Sequence, residues 1–222
     1  MIIGNGLIAR SLQSMDTDDY LFFASGVSNS LETRISEFER EFSLLKNSME
    51  KHPECRLVYF STLSVNDQSK QHSYYVLHKL KLEEYIRNNT SNHLILRIGN
   101  IVGNGGNPNT LFNFLKAQIS QGMTFTVHQR ARRLLLDIDD VSEFLHAHRD
   151  DLNNQTVNFA YPHYFDLKRI VRAIENKMQK KAKYIETDEG DFYKVNFDKT
   201  ATQFFTGTDA DEYLRILAEK YI

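Results

Sequence analysis

The sequence predicts an α/β protein built on a parallel sheet with helices on both faces. Short, wholly apolar runs rich in β-branched and aromatic residues recur along the chain, as in strands buried on both sides. Between them lie stretches whose apolar residues repeat every three or four positions, which marks amphipathic helices. The two kinds alternate throughout, with three prolines in all and no linker-like stretch or internal repeat.

Taken in order, Met1–Ile3 is a short apolar opening, and Tyr20–Ala24, Leu57–Phe60, Leu94–Ile98 and Val157–Ala160 read as buried strands. Leu134–Ile138 reads as another, and Lys183–Glu186 is a weaker candidate. A first helix ends near Met15. Ile35, Phe38, Phe42, Leu45 and Met49 mark a second, with Asn29 and Glu32 placed as its starting cap. Val76, Leu80, Leu82, Tyr85 and Ile86 mark a third, and Leu111, Phe114, Leu115 and Ile119 a fourth. Asp139 and Asp140 read as the cap of a helix beginning near Val141. Leu167, Ile170, Val171, Ile174 and Met178 follow Asp166, and Tyr213, Leu214, Leu217 and Tyr221 follow Asp209, each aspartate serving as an N-cap.

The 222 residues suit one domain, or one domain with a small lobe. Apolar residues at 41% and charged residues at 25% exclude a disordered chain. With 27 Lys and Arg against 29 Asp and Glu the net charge is −2, which argues against a nucleic-acid partner held by bulk phosphate attraction. No apolar run approaches bilayer length and no secretory signal opens the chain, so neither a membrane nor an export route is expected; a cytoplasmic location is. A single cysteine, Cys55, excludes an intramolecular disulfide and a cysteine-rich zinc site. The histidines show no metal-ligand spacing, so no metal is expected.

Two stretches carry chemistry. Gly4-Asn5-Gly6-Leu7-Ile8-Ala9 fits G-x-G-x-x-A between a strand and a helix. It reads either as an ordinary βα turn or as a cradle in which free helix amides face a pyrophosphate. Strand Leu57–Phe60 runs into Ser61-Thr62-Leu63-Ser64-Val65, which puts hydroxyls at a strand's C-terminal end. Tyr75 and Lys79 then stand at i and i+4, on one helical face. This Y-x-x-x-K is either a solvated helix face or a proton-transfer pair. In the second case the ammonium favours the phenolate, and a hydroxyl holds the substrate oxygen beside the phenol. Gln129-Arg130-Ala131-Arg132-Arg133 is either a solvated basic turn or a diphosphate contact. Asn104–Asn109 is either a plain connection or a loop that closes on a ligand. Lys177, Lys180, Lys181 and Lys183 gather at a helix end, where cations are favoured.

In this order along nearly the whole chain, the motifs resemble the extended short-chain dehydrogenase/reductase superfamily, the NAD-dependent epimerase/dehydratase group that acts on nucleotide sugars. Gly4–Ala9 is similar to its glycine loop, Phe23-Ala24-Ser25-Gly26 to the strand end beside the cofactor, and Phe60–Val65 to the strand carrying the active-site Ser or Thr, here Thr62. Tyr75 and Lys79 match the catalytic pair. Leu96-Arg97-Ile98-Gly99-Asn100-Ile101-Val102-Gly103 resembles an L-R-x-x-N-x-x-G segment whose Asn meets the substrate. Arg133–Val141 resembles the R-D-F-V-H-V-D-D-V stretch whose Arg meets the substrate diphosphate.

The resemblance implies a Rossmann-like doubly wound parallel sheet, shortened at one edge, with a small C-terminal substrate lobe. The whole chain, 1–222, would be one NAD(P)-binding domain with lobe elements mainly within 104–135 and 161–222. It implies catalysis by Thr62, Tyr75 and Lys79 and cofactor contacts at Gly4, Asn5, Gly6, Leu7, Ile8, Ala24, Ser25, Tyr75 and Lys79. Substrate contacts fall to Thr62, Asn100 and Arg133. The implied function is an NAD(P)-dependent reductase or epimerase on a nucleotide-linked sugar, in surface polysaccharide or sugar-nucleotide biosynthesis. Reduction is favoured over epimerisation because a reductase can release its cofactor at each turnover. Dehydration is disfavoured, because Leu63 and Ser64 stand where an acid pair is usual. The alternative is a non-catalytic relative that binds a nucleotide sugar or a partner protein.

The chain also departs from the pattern. Asp16–Asp19 leads directly into the strand at Tyr20, so the family's second and third strands and the ribose-binding acid have no counterpart. Strand one then becomes an open edge, which a homodimer would cover. NAD or NADP is expected to bind weakly, with dissociation constants of about 0.1–1 mM, or roughly 4–5.5 kcal/mol.

Overall fold

The longest strand, β3 (Arg56–Thr62), shows why the central sheet forms: Leu57 to Phe60 are all buried, as a strand covered on both faces requires. It lies in a five-stranded parallel sheet ordered β1 (Ile2–Ile3), β2 (Tyr20–Phe23), β3, β4 (His93–Ile98), β9 (Gln155–Phe159). The computed structural model describes residues 1–190 and 192–222. The chain divides into two compact units, residues 1–98 with 138–159, and residues 99–137 with 160–222.

In the first unit, alternate side chains of the sheet point to opposite faces. Leu21, Phe23, Leu57, Tyr59 and Ile95 pack with Leu45 of α2 (Ile35–Lys51) and with Leu82 and Ile86 of α3 (Tyr74–Asn89). On the other face Phe159 stacks on Phe144 of α5 (Ile138–His148), which packs against α1 (Leu7–Ser11). The sheet is thus doubly covered. β1 pairs directly with β2, with Ile2 opposite Phe22 and Ile3 opposite Phe23, and among the described residues has no further neighbour in the sheet. This is the shortened edge that the sequence implies.

A buried carboxylate stitches α3 to the sheet. Glu83 accepts from Ser61 Oγ at 2.6 Å, from Arg97 Nε at 2.9 Å and Nη2 at 2.6 Å, and from Arg87 Nη1 at 3.3 Å. Each oxygen has two donors, which is what a carboxylate without water needs.

The second unit is assembled from smaller pieces. Strands β5 (Asn100–Val102) and β8 (Leu135–Asp137) pair in parallel, as do β6 (Thr124–His128) and β11 (Lys183–Thr187). Strands β7 (Arg132–Arg133) and β10 (Phe165–Asp166) pair antiparallel. Helices α4 (Leu111–Gln121) and α8 (Ala210–Tyr221) both pack on α6 (Leu167–Met178), and α7 (Lys199–Phe204) precedes α8. Asp137 is buried beneath α8, accepting from Tyr221 and, at 2.6 Å, from Lys220 Nζ. Asp166 and Asp209 cap α6 and α8 as expected, accepting from Arg169 N and from Asp211 and Glu212 N.

Two expected caps are corrected. The residue before α2 is Arg34 and no side chain caps it, because Glu32 spends one oxygen on the Thr33 and Arg34 amides and so closes an earlier turn. Asp139 and Asp140 lie inside the first turn of α5, which starts at Ile138, so they complement its dipole rather than cap it.

The buried position of Leu45 gives a first prediction. Leu45→Ala should cost about 2–5 kcal/mol in urea unfolding, because the sheet behind it is too well packed to collapse into the space. A loss below about 1 kcal/mol would mean that this face is loosely packed.

Candidate functional site

Three strands of the first unit end at the same edge of their parallel sheet, and the expected glycine turn, Ala24, Ser25 and Thr62 lie where they end, while Tyr75 and Lys79 stand on α3. Gly4–Ile8 follows β1, Ala24–Val27 follows β2, and Thr62 closes β3. Gly4 has φ +128°, and a Cβ there would lie 2.4 Å from the Ala24 carbonyl oxygen. Only glycine lets the end of β1 approach the end of β2 so closely. Gly4, Asn5 and Gly6 are exposed, and a methyl on Gly6 would meet no atom within 4 Å. Leu7 and Ile8 open α1, where backbone amides have no intrahelical partner, but α1 has only five residues. Ala24 and Ser25 are half-buried.

Thr62 Oγ1 accepts from the Ser64 amide at 3.2 Å, which leaves its O–H free to donate elsewhere. Tyr75 stands in the first turn of α3 and packs against Val27 and Val76. Among the described residues its hydroxyl has no hydrogen-bond partner, and Tyr75 is not wholly enclosed, at 9% exposure. Lys79, one turn on, places Nζ 5.8 Å from the centre of the Tyr75 ring and 5.4 Å from that of Tyr59.

The sequence reading missed the group that holds Lys79. Glu41, on α2 and fully buried, accepts from Lys79 Nζ at 2.7 Å, from the Val27 amide at 2.8 Å and from the Tyr59 hydroxyl at 3.2 Å. His78 Nε2 lies 3.0 Å from Oε2, the oxygen that also takes the Val27 amide. Burial pushes the Glu41 carboxyl up, but the Lys79 charge and the hydrogen bonds from His78, Lys79 and Val27 outweigh it and hold the group at about 2. Burial, with the Glu41 charge beside it, pushes the Tyr59 hydroxyl well above the ordinary phenol range. The loop after β2 closes over this ion pair: a Cβ on Gly26 would lie 2.7 Å from Lys79 Nζ and 2.9 Å from Glu41 Oε1. Lys79 is 2% exposed. The lone ammonium anticipated beside Tyr75 is therefore an enclosed ion pair, and its field at the phenol is partly offset by the carboxylate behind it. A signal for Glu41 exists in the sequence. It falls on the apolar stripe of α2, three residues after Phe38 and four before Leu45.

In the second unit, Asn100 is half-buried and donates from Nδ2 to the Leu134 carbonyl at 3.1 Å, beside the backbone bond between the same residues at 2.8 Å. Its side-chain oxygen keeps its acceptor capacity. Arg133 is half-buried in β7 and donates from Nη1 to the Arg132 carbonyl at 2.8 Å. Its neighbours in the basic cluster serve the turn itself, Arg132 donating to the Gln129 and Ala131 carbonyls and Arg130 to the Asp188 carbonyl. The Asn104–Asn109 loop is pinned by Asn113, which donates to the Gly105 and Asn107 carbonyls at 3.1 Å each.

The depressed Glu41 carboxyl makes a pH prediction. Its folded value of about 2 lies below the ordinary 4.5, so its ionisation stabilises the fold above about pH 4.5, and that contribution fades as pH falls toward 2. Wild type should lose on the order of 3 kcal/mol more than Glu41→Gln across this window, as read by chemical denaturation at each pH. Parallel curves for the two proteins would show that the ion pair does not set the carboxyl.

No family model and no curated protein matches the sequence. Many solved structures match the fold. The enzyme WbmH of Bordetella bronchiseptica, in complex with NAD+, is 16% identical at a TM-score of 0.74, over 99% of this chain and 80% of that one. RMD from Pseudomonas aeruginosa, complexed with NADPH, is 14% identical at a TM-score of 0.71, over 91% and 80%. The UDP-N-acetylglucosamine 4-epimerase of Methanobrevibacter ruminantium M1, in complex with UDP-N-acetylmuramic acid, is 15% identical at a TM-score of 0.71, over 99% and 81%. The likeness shows the fold: this chain has the Rossmann-type α/β fold of these proteins.

Proposed function

We propose that the chain is an NAD(P)-dependent oxidoreductase of the short-chain dehydrogenase type that reduces a keto group on a nucleotide-linked sugar, with epimerisation the lesser reading. The observation that carries this is the Tyr75 hydroxyl, without a hydrogen-bond partner among the described residues, on a ring whose neighbour one turn on is a buried lysine. A solvated helix face would leave both side chains exposed, whereas here Tyr75 is 9% and Lys79 2% exposed. The fold neighbours crystallised with NAD+, NADPH or a UDP-sugar support the same reading.

The residues present fit a dinucleotide. The glycine turn is exposed with open space at Gly6, and the amides of Leu7 and Ile8 face outward from the helix start, where a diphosphate would be held. Ala24 and Ser25 would flank the nicotinamide half. When bound, the cofactor supplies the hydride. The chain's own part is to bind, orient and move a proton. Thr62 O–H donates to the sugar oxygen and fixes it. Tyr75 gives its phenolic proton to that oxygen as the carbonyl becomes a hydroxyl, and bulk solvent restores it. Lys79, fixed by Glu41, supports the phenolate left behind. Asn100 and Arg133 are the proposed contacts for the nucleotide part of the substrate, Arg133 taking the diphosphate by charge-assisted hydrogen bonds. The setting in this reading is cytoplasmic, in sugar-nucleotide or surface polysaccharide biosynthesis. A second copy of the chain is expected to cover the open edge at β1.

Tyr75→Phe should keep the thermal transition of the wild type and abolish reduction of a nucleotide-linked ketosugar, measured on the same preparation. Turnover near the wild-type rate would remove the phenol from the mechanism.

Arg133→Ala should weaken a nucleoside diphosphate sugar by about 1.5–3 kcal/mol in calorimetry while leaving the free sugar unaffected. Equal losses for both ligands would place Arg133 outside the diphosphate contact.

A further inference from the structure

Glu41 is a fully buried carboxylate that the reaction itself does not use, and its partners come from separate parts of the first unit. Val27 belongs to the loop after β2, Tyr59 to β3, and His78 and Lys79 to α3. A carboxylate offers about four acceptor positions, and here every one is taken. The loop cannot shift without losing the Val27 bond, and Lys79 cannot shift without leaving Glu41 as a bare buried charge. Gly26 makes the fit tight, since no side chain can stand between the loop and the ion pair. Ala24 and Ser25, in the same loop, are the residues proposed above for the nicotinamide side of the cofactor.

We infer that Glu41 is a positioning residue that sets the Ala24–Val27 loop and the Lys79 ammonium as one body, so that the cofactor-side loop and the catalytic pair take position together. The inference rests on the proposed function for its link to cofactor, and on contacts within the first unit for the coupling itself. A purely structural ion pair would lower stability alone. A positioning residue changes the local order of the loop and lysine in protein that is still folded.

The test uses the full-length chain and three variants. Glu41→Gln keeps the shape and removes the charge. Gly26→Ala keeps every charge and pushes a methyl against the pair. Leu145→Ala, a buried residue of α5 on the other face of the sheet, serves as the destabilised control. Three quantities are read under conditions where each protein is folded: exchange of the Val27 amide, acetylation of Lys79 by acetic anhydride, and affinity for NADPH and NADH. Glu41→Gln and Gly26→Ala should each raise Val27 exchange and Lys79 acetylation by about tenfold, and weaken the better-bound dinucleotide by a similar factor. Leu145→Ala should change none of the three by more than about twofold. Wild-type exchange and acetylation in both folded variants would overturn the inference. If Glu41→Gln does not fold, Gly26→Ala decides alone. If no protein, wild type included, binds either dinucleotide, the proposed function fails, while exchange and acetylation still decide the coupling.

Discussion

Neither Glu41 nor Lys79 could occupy its place without the other. Both are removed from water, and an isolated charge in such a setting costs several kcal/mol. Joined at 2.7 Å, with Val27, His78 and Tyr59 completing the carboxylate's partners, they become a fixed point at which β3, α2, α3 and the loop after β2 meet. Glu83 forms a second such point one turn further along α3, tying it to β3 and β4 through Ser61 and Arg97. A helix pinned twice by buried charges cannot rotate on the sheet. That rigidity fixes where Tyr75 stands relative to the strand end that carries Thr62.

The second constraint is the length of the sheet. With β1 next to β2 and, among the described residues, no strand beyond it, the first unit keeps the strand ends proposed above for the diphosphate and nicotinamide parts of a dinucleotide. It lacks strands on the side where adenosine would rest. The five residues of α1 also leave a short helix to oppose a diphosphate's charge. Under the proposed function, a reaction that releases the cofactor at each turnover suits this shortened sheet better than one that must retain it.

Much of this was legible in the sequence because strong periodicity reports burial. The apolar runs at Tyr20, Leu57, Leu94 and Val157 are the strands β2, β3, β4 and β9, and the three- and four-residue spacing from Leu167 to Met178 gives α6 with its bounds. Strands β5, β7 and β10 have two or three residues, too few to show alternation, and they exist through pairing with distant segments. The start of α2 was misplaced because Glu32 satisfies amides locally instead of capping the helix. At the site, Tyr75 and Lys79 stood out by spacing, whereas Glu41 looked like one more charge on an amphipathic helix. Its partners lie 14 to 38 residues away, and only the fold brings them together. Arg97 likewise stood in a motif read for its Asn100, and its bonds to the buried Glu83 tie β4 to α3.

The central claim is that a shortened sheet still serves a dinucleotide at the edge where Tyr75 stands. Calorimetric titration of the purified chain with NAD+, NADP+, NADH and NADPH, with its oligomeric state measured alongside, tests it most directly. The account predicts saturable binding of at least one of the four with a dissociation constant of about 0.1–1 mM. No saturable heat from any of them at ten times that concentration would contradict it.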